Sequence, residues 1–439
     1  MVKTKKLHVH FMGIGGSGIS AVARIARSLN YTVSGCDLEE SRTTKELQKE
    51  GFSIKIGHDA THLKGSDLLI HTPAVFYQSN TEEEYTLALK KKIAMTWEEF
   101  MAKNLHKKKF VIALAGTHGK GTTSAMLSVI LEKAGLDPTC EIGVGLLDWG
   151  KKNYRLGNSK YFLCEADEFR DKFLLYKPSL AVITSIEMDH PEYFKDLDQI
   201  VESFAKFVMR LEGPKTLVIN GENEGCTRLL KKLRSHNWSG KIIRYSAISK
   251  RLVKLKLPGQ HMLEDAGAAW TAAKALGVAE KTIKEGLESF SGCERRFEFK
   301  GEMSGVRIYD DYAHHPTAII HNIKAARELY PKKKIWVVFQ PHMYSRLDKL
   351  FDDFAKSLRL ADRVIVADVF TRREFGVNKP SGKDLAMVIG GPKATYVGGD
   401  LTNVANFIAR NTKKTDIVLV MGAGDIYKVS DQLLSLDSK

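Results

Sequence analysis

The run Ala115-Gly116-Thr117-His118-Gly119-Lys120-Gly121-Thr122-Thr123 carries the strongest chemical signal in the chain. It follows an apolar stretch, Phe110 to Leu114, with the pattern of a buried strand, and it precedes Ser124 to Leu131, which reads as a helix. A strand, a glycine loop with a lysine, then a helix is the geometry of a phosphate cradle. Backbone N–H groups and the helix N-terminus face the anion, and the Lys120 ammonium adds a point charge. Gly116, Thr117, His118, Gly119, Lys120, Gly121 and Thr122 are therefore candidate nucleotide contacts. One position departs from the usual pattern. Gly121 stands where a Ser or Thr hydroxyl normally reaches Mg²⁺.

Four further groupings have residue types suited to chemistry. Glu165-Ala166-Asp167-Glu168 directly follows one apolar run, and Glu187-Met188-Asp189-His190 follows the next. Carboxylates and an imidazole at neighbouring strand ends can hold a divalent cation beside a triphosphate, although acidic strand ends also serve as helix caps. Tyr309-Asp310-Asp311-Tyr312-Ala313-His314-His315-Pro316-Thr317 has two acids, two histidines and two tyrosines, which are costly to bury without a purpose. Arg295-Arg296 lies just upstream, placed to reach a phosphate across a cleft. Gln340-Pro341-His342-Met343-Tyr344-Ser345-Arg346 offers His342 and Arg346 to a carboxylate or amine. Finally, Gly13-Ile14-Gly15-Gly16-Ser17-Gly18 follows the first strand, and Asp37 ends the second. That arrangement suits a diphosphate with a ribose nearby, and equally a dinucleotide.

The elements that must position these residues form three blocks of alternating apolar strand and amphipathic helix, which implies parallel sheets. The first includes Leu7 to Met12, a helix through about Leu29, Tyr31 to Gly35 and Asp67 to Thr72; the charged stretch Lys103 to Lys109 closes it. The second runs from the cradle to about Gly292, and the third has strands at 334–339, 363–367 and 416–420. A length of 439 residues allows two to four domains, and 43% hydrophobic with 27% charged residues is an ordinary globular composition. No apolar run reaches the roughly 18 residues of a membrane helix, so no membrane partner is expected. Five dispersed cysteines and the lack of a signal-peptide pattern point to a reducing, cytoplasmic setting. The net charge of +15 favours acidic partners such as phosphorylated small molecules. No nucleic-acid module signature accompanies the lysine runs, so no nucleic acid is expected.

Taken in order, HFMGIGGSGIS, AGTHGK, EADE, EMDH, PGQH, ERRFE, DDYAHHPT, QPHMYSR and MGAGDIY resemble the Mur ligase family over nearly the whole chain. Within the family, QPHMYSR and GAGDI favour the alanine-adding type. The resemblance implies an α/β fold of three domains: a Rossmann-like UDP-sugar domain (1–106), a central P-loop ATPase-like domain (107–292) and a Rossmann-like amino-acid domain (293–439). It implies ATP-dependent joining of L-alanine to the carboxylate of UDP-N-acetylmuramate through an acyl phosphate, by a monomer or homodimer. In the matching positions Gly13, Gly15, Gly16, Ser17, Gly18, Asp37 and Thr72 hold the sugar nucleotide. Lys120, His261, Asp265 and Arg296 serve ATP, and Glu165 and His190 bind Mg²⁺. Asp310 and Asp311 complete the nucleotide site, and Tyr312, His314, His342 and Arg346 face the amino acid. Lys120, His190, Arg296, Asp310, Asp311 and His314 make up the expected catalytic set.

The chain departs from the family pattern at Gly121, at Met262 and Asp265 where asparagines are usual, and at Met343 in place of an arginine. An ionised Asp265 accepts from adenine's amino group but cannot donate to a ring nitrogen. These changes keep two alternatives open: a non-catalytic sugar-nucleotide binder, and a Mur ligase with a different amino-acid or murein-peptide substrate. An NAD-dependent oxidoreductase would leave the cradle unexplained.

Overall fold

Short apolar strands collect into three sheets in the computed structural model, which describes residues 6–72, 75, 82–190, 192–371 and 379–436. The first sheet contains β1 (His8–Met12), β2 (Thr32–Asp37), β3 (Ser53–Ile56), β4 (Leu68–His71) and β5 (Ala94–Thr96), in the order β3-β2-β1-β4-β5 and parallel throughout. The second contains β6 (Phe110–Ala115), β7 (Thr139–Leu146), β8 (Lys152–Arg155), β9 (Tyr161–Glu165), β10 (Leu180–Ile183), β11 (Thr216–Asn220) and β12 (Lys241–Tyr245), ordered β12-β11-β10-β6-β9-β7-β8. The third contains β13 (Glu298–Met303), β14 (Val306–Asp311), β15 (Ile335–Phe339), β16 (Arg363–Val366), β17 (Ala394–Tyr396) and β18 (Ile417–Met421), ordered β13-β14-β18-β15-β16-β17.

Central strands such as β10 (LAVI), β15 (IWVVF) and β18 (IVLVM) are buried along their whole length. Continuous apolar runs of this kind belong to parallel strands covered by helices on both faces. The expectation of purely parallel sheets needs one correction. β7–β8 and β13–β14 pair antiparallel, each at a sheet edge and each with a register irregularity. Both edges are hairpins joined by short connections, which only antiparallel pairs permit.

Parallel strands deliver their carboxyl ends to one side of a sheet, and ligands of open α/β sheets bind there. The loops after β1, β6, β9, β10, β14 and β15 are the six that carry the chemistry-bearing runs. Among the described residues no helix is long and apolar enough to cross a membrane.

Candidate active site between the second and third sheets

The cradle is built as expected. β6 ends at Ala115, and the following helix runs Lys120–Lys133 from an N-cap at Gly119. Gly119 has φ +79°, the left-handed region that glycine enters without strain, and a Cβ there would collide with the Asp265 carboxyl. The loop is pinned to the neighbouring strand end. Thr117 N–H donates to the Ser185 carbonyl at 2.9 Å, His118 N–H to Ser185 Oγ at 3.0 Å, and the Thr184 hydroxyl to the His118 carbonyl. Thr122 and Thr123 are buried in the first helical turn.

Lys120 is turned back over the loop. Its ammonium donates to the Gly116 carbonyl at 2.6 Å and to Glu168 Oε2 at 2.8 Å. Burial works against its charge, but Glu168, Asp167 and Glu165 outweigh that and raise its pKa. The charged form is therefore favoured, with three carboxylates acting on it. Burial raises the Glu168 carboxyl against the pull of Lys120.

The acidic runs converge as the strand ends predict, with a different grouping. Donor atoms of Asp167, Glu168 and His190 all lie within 4.8 Å of one another. Glu165 stands apart from that group, accepting the Gly143 N–H at 2.9 Å, with its carboxylate 3.6 Å from where a Gly121 Cβ would lie. His190 adopts φ +52°, stacks on Phe169 at 4.6 Å and meets Glu192 at 3.3 Å through Nδ1. Burial would lower its pKa, but Glu192 and the acids around it raise it. Asp167 and Glu168 join His190 because Arg170 and Asp171 take left-handed conformations that fold the post-β9 loop back. Both acids are in the EADE run, yet that reversal had no signature in the sequence.

Gly121 lies within the helix and does not need φ > 0. Its constraint is packing, since a Cβ would come 2.8 Å from Val144 Cγ1 and 3.2 Å from Val144 Cγ2. Asp265 is buried against the cradle itself and accepts from the Thr123 hydroxyl at 3.1 Å. Burial pushes its pKa up to about 8, so it is protonated at neutral pH and can donate as well as accept. Met262 is buried in the apolar core of this domain. His261 is stacked on His321 at 5.2 Å, and burial lowers its pKa to about 3.

The third sheet closes against the second. Arg346 donates to Asp189 Oδ1 at 2.9 Å, with both side chains more than 90% buried. Arg346 also meets His342 Nδ1 at 3.2 Å. Thr317 donates to Glu187 at 3.1 Å, and the His118 and His315 rings lie 4.8 Å apart. Arg296 sits over the Tyr312 ring at 5.3 Å, at one end of a cavity of about 210 Å³ shared with Leu257, Cys293 and Tyr309. Arg295 pairs with Asp310 at 3.3 Å, and burial raises the Asp310 carboxyl to about 7. Asp311 is committed to the backbone, accepting from Phe297 N–H and Ala313 N–H at 2.7 Å each. His314 bonds the Tyr312 carbonyl through Nδ1 at 2.9 Å, and burial lowers its pKa. His315 caps the helix Pro316–Leu329. Met343 takes φ +67° at the N-cap of Tyr344–Lys349.

In the first sheet the glycine loop opens the helix Ser17–Ser28. Gly13 has φ +77° and lies against Thr72, whose Cγ2 would be 2.5 Å from a Cβ. Gly16 is the N-cap, and Gly18 faces Trp97. Asp37 does not stand free at its strand end, because its carboxylate accepts the Gly15 N–H at 2.7 Å and holds the loop. Ser17 accepts from Asn153 of the second block at 3.1 Å.

Comparisons with known proteins cover the same three parts of the chain. Residues 8–108 match the Mur ligase family catalytic domain, 114–262 the Mur ligase middle domain, and 295–424 the Mur ligase glutamate ligase domain. The chain is 37% identical to a UDP-N-acetylmuramate–L-alanine ligase of Acetivibrio thermocellus, covering 97% of this chain and 95% of that one. It is 37% identical to the same ligase of Clostridium botulinum, covering 99% of each. Among solved structures, the UDP-N-acetylmuramate-alanine ligase of Thermotoga maritima superposes with a TM-score of 0.80 at 29% identity, over 99% of this chain and 100% of that one. A murein peptide ligase of Psychrobacter arcticus shares the fold, with a TM-score of 0.72 at 24% identity over 98% of both chains. With three successive domain matches over most of its length and relatives 37% identical over nearly the whole chain, the protein that carries this cradle, its strand-end acids and the second glycine loop belongs to the Mur ligase family.

Proposed function

We propose that this protein is an ATP-dependent ligase that joins L-alanine to the carboxylate of UDP-N-acetylmuramate in peptidoglycan precursor synthesis. The observation that carries the reading is the Lys120 ammonium at the head of its helix, paired with Glu168 and within the field of Asp167 and Glu165, with Asp167 and Glu168 grouped beside His190. We assign residues 1–106 to the sugar nucleotide, 107–292 to ATP and 293–439 to the amino acid, divisions supported by the three sheets.

The Gly13 to Gly18 loop, with Asp37 and Thr72 behind it, offers backbone N–H groups and a helix N-terminus to the diphosphate. Gly116 to Thr122 receive the ATP phosphates, and Lys120 exchanges Glu168 for a phosphoryl oxygen. The sugar carboxylate oxygen attacks the γ-phosphorus, the bond to the ADP oxygen breaks, and an acyl phosphate forms. The neutral amine of alanine then attacks the acyl carbon, and phosphate leaves. His314 holds Nδ1–H on the Tyr312 carbonyl, which leaves Nε2 with a lone pair to take the amine proton. Arg296, with Asp310 and Asp311 holding its surroundings, flanks the nucleotide, while Tyr312, His342 and Arg346 position the amino acid. The Arg346–Asp189 bridge keeps water from the acyl phosphate.

The oxygen-rich donor set beside Lys120 fits a divalent cation. Mg²⁺ would be held by His190 with Asp167 and Glu168, whose donor atoms lie within 4.8 Å of one another, joined by Glu165 if its carboxylate turns from the Gly143 N–H, and would neutralise charge on the phosphoryl oxygens. A cytoplasmic setting follows from where UDP-sugar and ATP are found together. The test is ADP release with UDP-N-acetylmuramate, Mg²⁺ and a panel of amino acids. Turnover that depends on L-alanine supports the reading. Absence of turnover with every amino acid and with murein peptides favours the non-catalytic binder.

A further inference from the structure

The first sheet contains a buried cluster that the ligase chemistry does not use. His10 on β1, Cys36 on β2, His58 just after β3, His62 in the short 3₁₀ turn Ala60–Leu63 and Glu84 in the helix Glu82–Lys90 meet behind the glycine loop. Their side chains are 2% (His10), 0% (Glu84), 1% (His58) and 14% (His62) exposed, and Cys36 is fully buried. Five polar groups in one apolar interior are costly unless all are satisfied, and here they are not. Buried His58 Nε2 and His62 Nδ1 have no hydrogen-bond partner.

The spacing is that of a coordination shell. His10 Nε2 lies 3.1 Å from Glu84 Oε1 and 3.3 Å from Cys36 Sγ. Cys36 Sγ lies 3.4 Å from Glu84 Oε2, and His62 Nδ1 lies 3.6 Å from the same oxygen. These donor atoms all fall within 4.8 Å of one another. Metal–nitrogen and metal–oxygen bonds near 2.0–2.2 Å and a metal–sulfur bond near 2.3 Å give tetrahedral edges of roughly 3.3–3.8 Å. The orienting contacts are present too. His10 is held through Nδ1 by Ser34 Oγ at 2.8 Å, which aims Nε2 inward, and His58 Nδ1 lies 3.1 Å from the sulfur.

We propose that His10 Nε2, Cys36 Sγ, His62 Nδ1 and Glu84 form a closed tetrahedral site for a zinc-type divalent cation. A mixed sulfur, nitrogen and oxygen set selects a borderline-soft metal over Mg²⁺ or Ca²⁺. The Cys36 thiol releases its proton to solvent on binding. Thiolate, carboxylate, two neutral imidazoles and a dication then sum to zero charge, as a buried site requires. Four protein ligands leave no open position, so the metal is structural. It ties two strands, a turn and a helix together at the point where the Cys36 carbonyl accepts Gly13 N–H at 2.8 Å and Ile14 N–H at 3.1 Å. The cation therefore braces the floor of the sugar-nucleotide loop.

The test uses the full chain, stripped with chelator and titrated with Co²⁺. The expected result is one equivalent bound with tetrahedral visible bands and a sulfur-to-cobalt charge-transfer absorption, displaced by Zn²⁺. Cys36→Ser should lose the charge-transfer band, and Glu84→Gln should bind at least about tenfold more weakly. The Asp167, Glu168 and His190 group has no sulfur, so Co²⁺ bound there alone gives no such band and overturns the proposal. A band that survives Cys36→Ser overturns it as well. The wild-type spectrum decides the matter even where a variant fails to fold.

Discussion

At Asp265 a departure from the family's residue types turns out to be conservative in chemistry. The sequence alone gives an acid in place of an amide, able only to accept. Burial against Gly119 and Thr123 holds the carboxyl protonated to about pH 8, and a protonated carboxyl offers the same donor and acceptor as asparagine. The unfolded chain ionises this group near pH 4, while the folded chain keeps its proton until about pH 8. Over that window the unfolded state binds fewer protons, so this residue's contribution to stability is full below pH 4 and is lost as pH rises through 8. Asp265→Asn should therefore flatten the decline in stability between pH 5 and pH 8, as read by urea denaturation at several pH values. A slope unchanged by the substitution would sink the assignment. Lys120→Ala should lower turnover by at least about 10²-fold while leaving UDP-sugar affinity unchanged, since the two loops sit on different sheets. Near wild-type turnover would remove the cradle from the mechanism. The placement of Lys120, Glu165 and His190 at or just beyond strand ends was legible from the apolar runs before them, whereas the grouping of His190 with Asp167 and Glu168 was not. The commitment of Asp311 to two backbone amides and of Asp37 to Gly15 was not, because both depend on loop conformations with no sequence marker.

Among the elements, the helix Lys120–Lys133 shows how a missing hydroxyl is accommodated. From sequence, restoring Thr at 121 promises a tighter metal–phosphate site, and the backbone at Gly121 is outside the left-handed region that would forbid it. Val144 on β7 fills the volume that the side chain would need. Overpacking of this kind costs about 1–3 kcal/mol. Gly121→Thr alone should lower stability and weaken binding of a non-hydrolysable ATP analogue. Gly121→Thr with Val144→Ala should recover most of the loss, measured by calorimetry and denaturation as a double-mutant cycle. Additive effects would mean that the two positions do not touch. β7 was not read as a strand from the sequence, nor was its antiparallel pairing with β8, because its Gly143-Val144-Gly145 stretch lacks an apolar run. The central strands β6, β10, β15 and β18 were read to within a residue or two, since continuous burial leaves continuous apolar sequence.

On the scale of the whole molecule, the three blocks and their order were legible because each repeats the strand–helix alternation. The contacts that join them were not, as they pair residues far apart in the chain. The Arg346–Asp189 bridge spans 157 positions and is buried on both sides. Removing one partner of a buried pair leaves an uncompensated charge and costs about 3–5 kcal/mol. Asp189→Asn should destabilise the closed arrangement and lower kcat, while UDP-sugar binding at the Gly13 loop stays intact. An unchanged kcat would show that closure does not depend on this bridge.

The packing of Gly121 against Val144 also bears on how the chain can change over generations. A hydroxyl gained at 121 is penalised while Val144 remains, and a Val144 trimmed alone leaves a void beside Glu165. Each single step leads downhill from the present sequence, although the two together do not. The positions are thus epistatic. A lineage carrying this pair is held to it, and change around the phosphate loop is channelled to the acids of the post-β9 loop, not to position 121.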